Sequence, residues 1–154
     1  MQALFSAPTR FATALILGLA CSASMAESSP QPLHLWHYGT LPVGPQRCEA
    51  TFMFDAGRAT FREVRVQAVA KDRQGQSLVR FTLTPNDMGV DGNNRFASAN
   101  WVSPHACDPE VVVYLRRASA QLDGMATDLL ATQQLQLRRF ERMELRLPQS
   151  RERP

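Results

Sequence analysis

The sequence predicts an all-β domain, a two-sheet antiparallel β-sandwich closed by one disulfide. Three observations carry this. Seven or eight short strand-like segments follow one another with turn signals at short intervals. Several of them alternate dry and wet residues with period two, as Val64, Val66, Ala68 and Ala70 do against Arg65, Gln67 and Lys71. There is no βαβ rhythm, heptad run or internal repeat, which leaves sheet on sheet as the way to bury the apolar faces.

The chain has 154 residues, and its first 26 read as a leader. Arg10 is the only formal side-chain charge before Glu27, an apolar run from Phe11 to Ala20 follows it, and Ser24-Met25-Ala26 fits the small-x-small rule. That is the layout of a secretory signal peptide cleaved between Ala26 and Glu27. The run is too short for a membrane span, which needs about 20 apolar residues. A rival reading is a lipoprotein anchored at Cys21, but Gly18 and Leu19 stand where a lipobox wants Leu and a small residue. The expected organisation is a signal peptide over 1–26, a flexible Pro-containing lead-in over 27–32, one domain over 33–148 and a disordered tail over 149–154.

All 14 acidic residues and all but one of the 17 basic ones lie beyond residue 26. The resulting charge, about +2 by formal count, is too mild to imply nucleic acid. From Arg138 to Arg153 six Arg stand against three Glu; a solvated strand face and a frayed end explain them better than an anionic partner site. Removing the leader leaves Cys48 and Cys107. An even pair in a small exported domain reads as a disulfide, closing a loop of about 60 residues worth roughly 4 kcal/mol.

The elements follow in order. Leu33 to Tyr38 reads as a first strand. Gly39 to Gln46, with two Gly and two Pro, reads as a loop. Cys48 to Phe54 is the second strand, ended by Asp55-Ala56-Gly57. Val64 to Lys71 and Leu78 to Leu83 form an antiparallel hairpin around Asp72-Arg73-Gln74-Gly75. Phe96 to Val102 is a further strand, and Val111 to Leu122 the strongest one. Asp123-Gly124 signals a tight turn. From Leu129 to Leu147 the alternation of Met143, Leu145 and Leu147 with Arg142, Glu144 and Arg146 favours strands over a helix around Thr127 to Phe140.

Sites for chemistry are scarce. His34 and His37 are three apart, so a strand places them on opposite faces where they cannot share a metal. His105 stands beside the second cysteine. No G-x-S-x-G, G-x-G-x-x-G or P-loop occurs. The stretch from Asn86 to Arg95, NDMGVDGNNR, invites a calcium reading that fails on spacing. Counted from Asp87, position three is Gly89 and position twelve Ser98; counted from Asp91, position five is Arg95. It reads as a turn. The aromatic residues, spread over nearly every strand, suit core and interface packing. These residues predict no enzyme, no cofactor and no metal site.

An ordered layout remains. Thr51-Phe52-Met53-Phe54-Asp55 follows the early Cys48. Then come Leu83-Thr84-Pro85, the Gly/Asp/Asn-rich turn, Arg95-Phe96, Ala99, Cys107-Asp108, Arg117-Ala118, Asp123-Gly124 and Asp128-Leu129-Leu130. From roughly Trp36 to Leu147 this resembles the interleukin-receptor-mimic protein A (IrmA) family of small exported bacterial proteins. The resemblance implies an immunoglobulin/fibronectin-III-like sandwich with a disulfide, strand-exchanged homodimers, and binding of host cytokines in place of catalysis. Pro85-Asn86-Asp87 departs from the Phe-Gly-Asp-like run expected there. The expected product is exported, periplasmic or secreted, and binds another protein through edge strands and apolar surface. The same fold would serve a periplasmic chaperone or assembly factor for envelope or fibre subunits.

Overall fold

The computed structural model describes residues 31–92, 94–140 and 143–148. The expected signal peptide with its cleavage site, Cys21, most of the expected lead-in and the expected tail over 149–154 lie outside the described residues. Two sheets face each other. The first has the order β5-β2-β1-β8, built from Phe96–Ser103, Arg47–Asp55, Leu33–Gly44 and Leu135–Leu137. The second has the order β4-β3-β6-β7, built from Ser77–Leu83, Phe61–Lys71, Val112–Leu122 and Met125–Asp128. The short β9, Glu144–Arg146, pairs with the other end of β6. The chain is all-β, and Cys48 and Cys107 are joined with Cα atoms 5.1 Å apart.

Strand alternation builds the core. Leu33, Leu35, Ala50, Phe52, Phe54 and Trp101 point inward from the first sheet. Val64, Val66, Ala70, Val113, Leu115 and Leu122 answer from the second. Between the sheets the Phe81 and Trp101 rings stack with centroids 4.2 Å apart, and Phe52 lies 6.2 Å from Phe81. Such pairs add about 1 kcal/mol each beyond their buried area.

Two turns behave as their residues dictate. Asp123 and Gly124 both take positive φ, 48° and 85°, and close the two-residue hairpin that pairs Leu122 with Met125. Asp72 closes the β3–β4 hairpin by accepting the Gly75 N–H on its carbonyl and the Gln76 N–H on its carboxylate.

Elsewhere the structure departs from expectation. The stretch from Gly39 to Gln46 is not a loop. β1 continues to Gly44, with register breaks between His37 and Gly39 and between Pro42 and Gly44, and only residues 45–46 turn. Two bulges let Tyr38 and Val43 drop out of the ladder without ending it. Among the described residues from Leu129 to Leu147 strands stand in place of a helix, as expected, but they are short and a turn opens the segment. The Asp128 carboxylate caps a turn by accepting the Leu130 and Ala131 N–H groups, each at 3.0 Å. Three-residue strands then join different sheets, and both pair in parallel, β8 with β1 and β9 with β6. The sandwich is therefore mostly antiparallel with two short parallel additions.

The polar stretch from Asn86 to Arg95 is more than a solvated turn. Met88 is fully buried, and its backbone exchanges two hydrogen bonds with Phe61. Gly89 has φ +73°, and a Cβ there would lie 2.1 Å from the Ala59 carbonyl oxygen. The Asp87 carboxylate accepts the N–H of Glu63, a bulge residue at φ 51°. The loop is thus bonded to the second sheet, and it ends by delivering Arg95 to the first.

Candidate binding face

The outer face of the first sheet is assembled from residues far apart in sequence. Phe54 points inward, so Asp55 points outward, in register with His34 on one side and Phe96 on the other. A carboxylate there would normally be wet. Instead it is completely covered, because two arginines close over it. Arg95 makes a two-point contact, Nε to Oδ1 at 2.5 Å and Nη2 to Oδ2 at 2.8 Å. Arg138 adds Nη2 to Oδ2 at 3.0 Å, and the Gly57 N–H donates to Oδ1 at 2.9 Å.

Backbone bonds hold both arginines in place. The Arg95 carbonyl accepts from Ala56 N–H, and the Arg138 N–H donates to the Leu35 carbonyl, each at 2.9 Å. The Arg95 hydrogen bond is the main reason the Asp55 pKa is lowered from 3.8 to about 2, against the opposing effect of burial. The neighbouring His34 imidazole is held below its usual pKa, first by burial and then by the Arg138 charge.

Aromatic rings frame these charges. The Arg95 guanidinium lies 5.1 Å from the Phe96 ring centre, and that of Arg138 lies 5.4 Å from Trp36. Phe140 sits 5.8 Å from Trp36 at an interplanar angle of 60°. Tyr38 is 74% exposed, Leu41 68%, Phe140 57% and Phe96 52%. Leu41 and Val102 flank Glu49 on the same face. Half-buried Trp36 with exposed Tyr, Phe and Arg makes the composition that dominates protein–protein hot spots.

The sequence-predicted residues sort as follows. Cys48 and Cys107 come together. His34 and His37 fall on opposite faces; His37 is not a surface group but is buried at 5.7 Å from Phe52, with Nε2 2.9 Å from Thr40 Oγ1. Asp87 and His105 do not converge. One lies in the loop before β5 and the other in the short helix after it, where His105 donates its N–H to the Ser103 hydroxyl. Among the described residues no group of three or more His, Cys, Asp or Glu could hold a metal ion, and no helix is long and apolar enough to cross a membrane. Arg138 and Arg146 are not simply solvated: Arg138 meets Asp55, and Arg146 binds Glu144 and the Tyr114 hydroxyl.

Sequence reasoning missed the Asp55–Arg95–Arg138 cluster. Asp55 and Arg95 stand 40 residues apart with no local pattern joining them. The one available signal was Asp55 followed by Gly57, which reads equally well as an ordinary turn.

No curated protein matches the chain. Among solved structures, IrmA from Escherichia coli is similar, with a TM-score of 0.58 and 18% sequence identity; the match covers 72% of this chain and 94% of that one. That likeness bears on the fold. The family model described as IrmA, interleukin receptor mimic protein A, matches residues 33–137, the span from the start of β1 to the end of β8. On that match, the chain belongs to the IrmA family.

Proposed function

We propose that this protein is exported and works as a non-enzymatic protein-binding sandwich, using the outer face of its first sheet to engage secreted host proteins of the interleukin class. The observation that carries the reading is the half-buried Trp36 with exposed Phe96 and Phe140 around two arginines ordered by a buried carboxylate, and exposed Tyr38 further along the same strand as Trp36. Exposed aromatic surface is costly to leave wet, and ordered side chains lose little entropy on docking. The family description supports the partner class. The leader layout and the Cys48–Cys107 bridge support an oxidising, extracytoplasmic destination.

Surface plasmon resonance of the disulfide-bonded protein against a panel of purified interleukins tests this. Saturable binding of at least one of them at micromolar concentration or tighter is expected. An inert panel, with saturable binding to an envelope or fibre subunit instead, would replace this reading by the assembly-factor one.

A further inference from the structure

The outer face of the second sheet carries a different chemistry. Register places Arg80, Val69, Tyr114 and Arg146 in one row across β4, β3, β6 and β9. Thr82, Gln67 and Arg117 form the next row, and Arg65 stands beside Ser119 beyond it. Lys71 lies over the Tyr114 ring at 4.7 Å, and Arg146 faces that ring at 5.5 Å. Two of the nearby acids are engaged, while the exposed Glu63, two residues before Arg65, makes no side-chain bond among the described residues. Glu144 is bonded twice to Arg146, and the Asp128 carboxylate accepts two backbone N–H groups. No acid pairs with Arg65, Arg80, Arg117 or Lys71 among the described residues. Many of these residues line a broad open hollow that continues past the sheet edge to Leu130, Leu135 and Leu147.

We infer that this face binds an acidic polysaccharide, a chain of sulfated or carboxylated sugars. The cations are spread over the face: Arg80 and Arg146 stand at the two ends of one row, three strands and about 15 Å apart, with Arg117 in the next row and Arg65 beyond it. That spread suits an extended polyanion better than a single phosphate. Guanidinium groups pair two-pronged with sulfate and carboxylate. Gln67, Thr82 and Ser119 between them supply donors and acceptors for sugar hydroxyls. Among the described residues these rows expose no large apolar side chain, since Val69 is buried and the Tyr114 ring lies under Lys71 and Arg146, and Leu147 is exposed only beyond them; this weighs against entry into a lipid layer. The site lies on the opposite side of the sandwich from the aromatic face, so the two readings stand or fall separately.

Heparin is the probe. Affinity of the disulfide-bonded protein for immobilised heparin is compared with that of Arg80→Gln/Arg117→Gln and of Arg47→Gln/Arg58→Gln. The second pair removes the same charge from an exposed strand end and an exposed turn elsewhere. Binding that weakens with salt is expected, with a loss of at least about tenfold in the first variant and less than about twofold in the second. Far-UV circular dichroism and melting identify any variant that fails to fold; Lys71→Gln then serves in its place, with a smaller loss expected. Equal losses in both variants would mean general charge attraction and overturn the site. Unchanged binding in the first variant would also overturn it, as would tighter binding to phosphatidylglycerol vesicles or single-stranded DNA than to heparin.

Discussion

The two outer faces of this sandwich share one construction and differ in what holds their arginines. On the first sheet Arg95 and Arg138 are turned onto a single buried carboxylate and lie against Phe96 and Trp36. On the second, Arg65, Arg80 and Arg117 stand on strands whose outward neighbours are Gln, Thr and Ser. Charge count alone would rate both faces as basic. The difference shows that a cation's role is set by its partner. An arginine held at two points by Asp55 is a rigid, half-neutralised platform suited to a protein surface. An arginine with no acid beside it is an open charge suited to an anionic chain.

The comparison can be broken at several depths. The largest effect is expected from Cys48→Ser/Cys107→Ser, because the bridge joins β2 to the helix after β5 and so closes the frame of the first sheet. Denaturant unfolding is expected to lose about 4 kcal/mol. Next is Gly89→Ala. It puts a Cβ against the Ala59 carbonyl at a positive φ, in the loop that links the second sheet to Arg95. A loss of roughly 3 kcal/mol is expected by the same measurement.

Asp55→Asn acts on the first face alone. The native carboxylate has its pKa lowered from 3.8 to about 2. The stability this contributes, on the order of 2 kcal/mol, is fully present above the unfolded pKa and lost as pH falls through the folded one. The wild type is therefore expected to outlast the variant in urea at pH 7, with the gap closing between about pH 4 and pH 2. A gap that stays constant to pH 2 would show that the Asp55 charge is not what orders the arginines. The smallest effect belongs to Arg80→Gln, on the second face. Its exposed side chain has no acidic partner among the described residues, and its melting point is expected to shift by less than the equivalent of about 0.5 kcal/mol.

Much of this frame is legible in the sequence because it rests on local chemistry. Period-two alternation marks β3 and β6, Asp123-Gly124 marks a hairpin, and two cysteines in a small domain mark a bridge. What escapes is long-range or edge-dependent. Gly39 to Gly44 reads as loop because Gly and Pro disfavour strands, yet bulges and an unpaired edge accommodate them. β8 and β9 are three residues each, too short for periodicity to assign them to different sheets. The Asp55 face is illegible for the same reason. Its central contact joins strand ends brought together only by the sheet order, and nothing near Asp55 in sequence announces Arg95 or Arg138.

The aromatic face of the first sheet is the centre of the account, and Tyr38→Ala/Phe96→Ser tests it most directly. Both side chains are more than half exposed and contribute little to the core, so melting should move little. Surface plasmon resonance against the interleukin bound by the wild type is predicted to show at least a tenfold loss of affinity, with heparin binding unchanged. Interleukin affinity retained by a folded Tyr38→Ala/Phe96→Ser variant would contradict the account.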